Sequence, residues 1–145
     1  MRLGAFSALE VAASGLSAER TRMNTIASNL ANARTTRTAE GGPYKRLDPV
    51  FEATQLGGNS IGGPSNESAV SLVKVQRIQQ DTRDPQLVYE PGHPDADAKG
   101  YVRYPNVNVV EEMVNMITAS RAYEAGISSV ESVKSMAKSA LGIGR

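Results

Sequence analysis

Residues Asn108 to Leu141 read NVVEEMVNMITASRAYEAGISSVESVKSMAKSAL, and the spacing of their apolar side chains decides the fold. Asn108 has the character of an N-cap, Glu111 follows three residues later, and Gly142 stands where such a helix would stop. Val109, Met116, Tyr123, Val130 and Ala137 recur every seven residues. Met113, Ser120, Ile127 and Leu141 form a companion series that Lys134 breaks. The stretch therefore predicts one long helix with an imperfect apolar seam.

The other end of the chain repeats the pattern. Ser7 and Glu10 have the spacing of a capping box. Beyond them Leu9, Leu16, Met23 and Leu30 recur every seven residues, joined by Phe6, Ala13, Ile26 and Ala27 and interrupted by Arg20. A helix of about 26 residues would span roughly 40 Å, which is long for a chain of this size. Gly15 and Gly126 each weaken a helix by about 1 kcal/mol relative to alanine. Close approach by a neighbour would account for them, and an exposed glycine is the alternative.

Between the helices lie turn formers and short β-like runs. Tyr44–Ala53, Val70–Ile78, Gln86–Glu90 and Tyr101–Tyr104 are the strand candidates, each bounded by Gly, Pro, Asp or Asn. Val73 and Val75 alternate with Lys74 and Gln76, which predicts a strand buried on one face. The glycine-rich run 57–66 has almost nothing to bury and reads as a mobile loop. The expected fold is α+β. Long terminal helices pair as an antiparallel, coiled-coil-like core from which a small β-rich insert hangs at one end. The division is residues 1–34, 35–104 and 105–145.

Composition narrows the function. Leu, Ile, Val and Phe number 30 of 145 residues, so large apolar anchors are scarce and the core should be thin. With no cysteine there is no disulfide framework and no thiol chemistry. A net charge of +1 gives no reason to expect nucleic acid. No run of 18 apolar residues exists, so direct membrane insertion is not expected, and Glu10 interrupts the apolar region that a cleaved signal peptide would need.

Chemistry-bearing motifs fail one by one. Asp95-Ala96-Asp97-Ala98-Lys99-Gly100 begins like a calcium loop, but Lys99 occupies the fifth place and Asn106 the twelfth, which leaves a tight turn. Gly57 to Gly63 has the glycine spacing of a phosphate loop without its lysine. His93 sits between Gly92 and Pro94, where a turn role suffices. Glu111 and Glu112 are adjacent on a helix and diverge, so they make no acid/base pair, and capping and the helix dipole explain them. Met113, Met116 and Met136 suit core filling or an adaptable partner surface. No catalytic, cofactor or metal site is expected, and the chain reads as a non-enzyme.

Two long stripes cannot be covered by so small an insert, so burial must be completed by other molecules. Short of that contact, helices of this kind are barely stable in water. The residues also carry a resemblance. Ala13-Ser14-Gly15-Leu16, Arg22-Met23-Asn24 and Ala27-Ser28-Asn29-Leu30-Ala31-Asn32 are similar to the N-terminal signature of the bacterial flagellar axial proteins, the family of rod, hook and hook-associated subunits. Thr35-Thr36-Arg37-Thr38, Glu40-Gly41-Gly42-Pro43-Tyr44, Pro91-Gly92-His93-Pro94-Asp95-Ala96-Asp97, Gly100-Tyr101-Val102 and Tyr104-Pro105-Asn106-Val107-Asn108 through Ala125 resemble, more narrowly, its proximal-rod members.

The resemblance implies a structural subunit of the periplasm-spanning rod, exported by the flagellar type III apparatus without a cleaved signal. It implies as partners other rod subunits and the adapter joining rod to inner-membrane ring. It also implies that the terminal helices form the layer around the export channel, with Leu9, Leu16, Met23, Leu30, Met113, Met116, Tyr123, Ile127 and Val130 as assembly contacts. The competing reading from the stripes alone is a soluble export chaperone or regulator that captures a partner's helix. A wall-cutting enzyme is the third class, and it lacks a carboxylate pair.

Overall fold

The computed structural model describes residues 2–55 and 71–143. Six elements follow one another: α1 (Arg2–Ala31), β1 (Leu47–Gln55), β2 (Ser71–Gln80), β3 (Gln86–Tyr89), β4 (Tyr101–Tyr104) and α2 (Val109–Ile143). The fold is α+β, and all four expected strands are present. The run 57–66 lies outside the described residues.

α1 begins earlier than its capping signal predicts. Ser7 and Glu10 lie inside the helix, so they do not form a capping box. At α2 the cap is as expected: the Asn108 side-chain oxygen accepts hydrogen bonds from the backbone N–H groups of Val110 (3.1 Å) and Glu111 (3.3 Å). Glu111 and Glu112 in the first turn complement the positive end of the helix dipole. Gly142 does not end α2, which continues to Ile143.

The two helices pack against each other, and contacts at two levels define their direction. Asn29 meets Glu112, and Leu16 lies over Gly126. Chain order reverses between the levels, so the helices are antiparallel.

The side of α2 turned toward α1 carries Glu112, Met116, Ala119, Tyr123, Gly126, Val130, Val133 and Ala137, all buried or half-buried. Their alternating four- and three-residue steps make one straight stripe. Of one expected series, Met116, Tyr123, Val130 and Ala137 are in this stripe, whereas Val109 is 40% exposed. Its companion is displaced by one position: Met113, Ile127 and Leu141 are 53%, 39% and 76% exposed, while Glu112, Ala119 and Gly126 take the inward places. Small residues suit that line because α1 comes close. A Cβ on Gly126 would stand 2.8 Å from Leu16 Cδ2, whereas Gly15 has nothing within 4 Å. Close approach therefore explains Gly126, and Gly15 is the open glycine.

β1 and β2 form an antiparallel ribbon from Leu47 opposite Gln80 to Gln55 opposite Ser71. Val50 faces Arg77 and Phe51 faces Val75, which leaves Gln76 as the extra residue of a bulge. The ribbon does not hang from one end of the helix pair. It lies along α1, where the Val73 N–H donates to Ser14 Oγ at 3.2 Å. Leu72 and Val75 are half-buried, but Val73 is exposed, contrary to the alternation. A two-stranded ribbon twists strongly and can follow a straight helix only in part.

β3 and β4 form a second antiparallel pair, Gln86 opposite Tyr104 to Tyr89 opposite Tyr101. Its turn needs Gly100: φ is +82°, and a Cβ there would sit 2.9 Å from the Tyr89 ring. Asp97 Oδ1 accepts from the N–H groups of Lys99 (2.8 Å) and Tyr101 (2.9 Å), so the calcium-like stretch is the tight turn expected of it. Those two bonds hold the Asp97 carboxyl below its ordinary range. His93 serves the preceding turn, accepting from the Asp95 N–H at 3.1 Å.

The buried apolar set is small: Ala18, Ile26, Val102, Val107 and Ala119, with Pro105 beside them. Ala18, Ile26 and Ala119 lie along the helix pair, Val107 just ahead of α2, and Val102 on β4 in the second β pair. Among the described residues the core is thin, as composition predicts, and no residue before Ala18 or after Ala119 belongs to it.

Candidate assembly surfaces and the polar node between the helices

The most enclosed polar group belongs to Glu112, whose side chain is 1% exposed, as is that of Asn29 facing it. Asn29 sits in the last turns of α1 and Glu112 in the first turn of α2, so the antiparallel pairing brings them together. Asn29 Nδ2 donates to Glu112 Oε2 (3.2 Å) and to the Leu47 carbonyl (2.9 Å). Asn29 Oδ1 accepts from the Leu47 N–H (2.9 Å) and the Tyr44 hydroxyl (3.0 Å). One amide thus ties both polar groups of the first β1 residue to the helix.

Arg46 completes the node. Its Nε donates to Glu112 Oε1 at 2.7 Å, and its Nη1 pairs with Asp48. Burial works against the guanidinium charge, but the hydrogen bond and charge of Glu112, with those of Asp48, outweigh it and raise the Arg46 pKa. Burial, and secondarily the Glu112 charge, push the Tyr44 hydroxyl above its ordinary value. A buried carboxylate is tolerable only when fully partnered, and here both oxygens are bound. The node therefore fixes the register of α1, the 44–48 segment and α2 simultaneously.

Its carboxylate departs from the reading of Glu111 and Glu112 as two capping charges. The side chains do diverge, Glu111 to solvent and Glu112 inward, but Glu112 acts in the interior. A signal was available: Glu112 lies on the same seven-residue line as Ala119, Gly126 and Val133, so an inward helix face carries an acid that needs a cation. Arg46 is 66 residues away in sequence and has no spacing relation to it.

Of the expected assembly contacts, Leu9, Leu16, Met23, Leu30, Met116, Tyr123 and Val130 are half-buried, with Leu16, Met116, Tyr123 and Val130 between the helices, and Met113 and Ile127 are exposed. The pair thus leaves a good deal of apolar surface uncovered. The β3–β4 arm adds Leu87 and Tyr89, each 63% exposed. Among the described residues no group of three or more His, Asp or Glu side chains is placed to hold a metal ion. No helix there is long and apolar enough to cross a membrane.

Residues 9–37, most of α1 with the following turn, match the family described as flagella basal body rod protein. Residues 98–143, β4 and α2, match the C-terminal family of the flagellar basal body rod FlgEFG proteins. Whole-chain relatives agree. The chain is 45% identical to the flagellar basal-body rod protein FlgC of Borreliella burgdorferi, over 97% of its own length and 98% of the relative's. It is 43% identical to FlgC of Escherichia coli O157:H7, over 94% and 95% of the two chains. It is 40% identical to FlgC of Bacillus subtilis, over 97% and 99%.

Proposed function

Since the chain belongs to the FlgC family of flagellar basal-body rod proteins and is a structural subunit of the basal body, we propose that it polymerises with other rod subunits into the periplasm-spanning drive shaft. The observation that carries this reading is the uncovered apolar surface of the helix pair, on a chain whose relatives are rod proteins over nearly its whole length. Residues 1–34 and 105–145 form the inner layer around the export channel, and residues 35–104 form the outer part. In the polymer the helix pair adopts coiled-coil geometry, and the contacts include Leu9, Leu16, Met23, Leu30, Met113, Met116, Tyr123, Ile127 and Val130.

Torque passes through many lateral contacts. Each buries a few apolar side chains at about 25 cal/mol per Å², and their sum along the polymer makes the shaft stiff. Delivery is by the flagellar type III apparatus without a cleaved signal, and the adapter at the inner-membrane ring is a further neighbour. The chemistry is mechanical, with no enzymatic step. The helix-capturing chaperone has no support among the relatives.

Cells lacking this chain should build no complete rod and should not swim. Reintroduced wild-type protein should appear in isolated basal bodies, and a Met116→Asp chain should not, because a charge placed at that half-buried seam has no partner. Intact rods in the deletion strain would overturn the reading.

A further inference from the structure

The outer side of α2 carries Val110, Met113, Val114 and Ile117, which are 71%, 53%, 57% and 55% exposed. Their i, i+3, i+4, i+7 spacing makes one continuous stripe, turned away from the Met116–Tyr123–Val130 line. Exposed Glu111 and Arg121 stand near its ends, ten residues apart. The outer side of α1 is its opposite in size. Glu10, Ala13, Ser17 and Arg20 are all exposed there. Beside them an open groove of about 240 Å³ is lined by Ala13, Leu16, Ser17, Arg20 and Tyr123.

We propose that the α2 stripe of one copy seats on this α1 groove of a second copy, with Glu111 against Arg20 and Arg121 against Glu10. Charge spacing and side-chain size select that occupant. The charges on both helices are ten residues apart, about 15 Å on each, and they match only when the helices run antiparallel. A parallel arrangement would set Glu111 against Glu10 and Arg121 against Arg20. In the matching register Val114 falls level with Ser17 and Ile117 within one residue of Ala13, large side chains over small ones. The contact cannot form within one chain, because Leu16 is already level with Gly126. Ser17 is therefore roughly 16 Å along the axis from Val114.

Two consequences follow for assembly. Donor and acceptor are different patches, so the contact repeats rather than closing on itself. Because α2 of one copy lies antiparallel to α1 of the next, the copies themselves point the same way, staggered by about eleven residues or roughly 16 Å. Two α2 stripes facing each other could pair the same charges, but that dimer would close and leave the groove empty. This inference rests on the rod-subunit reading and names its first interface.

The absence of cysteine makes the test clean. Chains carrying both Ser17→Cys and Val114→Cys, oxidised in isolated basal bodies, should give a ladder of disulfide-linked multimers. Chains with Val114→Cys alone should give none. Dimers from Val114→Cys alone, cross-links only to another protein, or incorporation without any cross-link would each overturn the proposal while leaving the rod reading intact. Absence of the wild-type chain from basal bodies would overturn the reading itself. Should the double-cysteine chain fail to incorporate, a charge exchange decides: Glu111→Arg should lower incorporation at least about tenfold, and adding Arg20→Glu should restore it. No loss in the single variant, or no rescue in the pair, refutes the contact.

Discussion

The two ends of the helix pair are held by different physics. Where α1 ends and α2 begins, buried Glu112 and Asn29, the Arg46 guanidinium and buried Ile26 specify a single arrangement. Toward the start of α1 and the end of α2, no described side chain is buried. There the helices meet through half-covered residues such as Leu16, Val130 and Ala137 over a glycine. Hydrogen-bonded polar groups are intolerant of displacement, whereas methyl and methylene contacts slide at little cost. The first end fixes register. The second leaves a surface that other molecules can complete.

Substitutions can break that contrast in order of expected effect. Glu112→Ala should be the most damaging, because it leaves the Arg46 guanidinium and the Asn29 amide without their shared acceptor. A loss of about 3–5 kcal/mol in urea unfolding is expected, and a loss below about 1 kcal/mol would show that the node does not hold this end. Asn29→Ala orphans the N–H and C=O of Leu47 and should cost about 1–3 kcal/mol. In amide exchange the Leu47 amide should lose its protection while amides near Ala13 change little.

The loosely held end supplies a matched pair. Gly15→Ala enters open space and should gain up to about 1 kcal/mol from helix propensity. Gly126→Ala has the same propensity gain, but its methyl must displace Leu16, so thermal denaturation should show little net change. Equal stabilisation by both would mean the helices are farther apart there than 2.8 Å implies.

The smallest effect concerns the β3–β4 turn, remote from both ends. The Asp97 pKa is lowered on folding, so its contribution is present above the unfolded value of about 4 and is lost as pH falls through the folded one. Protection of the Tyr101 amide relative to its intrinsic exchange rate should fall below about pH 4, and Asp97→Asn should abolish that pH dependence.

Much of this was legible in the chain. Seven-residue recurrences found both helices, and punctuation by Gly, Pro and Asp found all four strands, because those signals act within a few neighbouring residues. The signals that misled depend on distant partners. Met113 and Ile127 look like core by hydropathy, yet Ala119 and Gly126 are inside, because closeness of α1 favours small side chains and hydropathy does not register closeness. Glu112 looks like a capping charge because Arg46 is invisible from it. The ribbon's place along α1 depends on the Val73 N–H finding Ser14, which no local pattern encodes. The assembly-contact set overlaps the outer stripe only at Met113, since periodicity cannot tell which side of an amphipathic helix another molecule will use.

The node also bears on how the protein comes together in time. Its two halves are 83 residues apart, so forming it means closing a very long loop, an event that follows rather than precedes local helix growth. A chain interrupted before Glu112 keeps Asn29 and Arg46 but lacks the acid that fastens them. Incomplete copies are therefore left unlatched at this end.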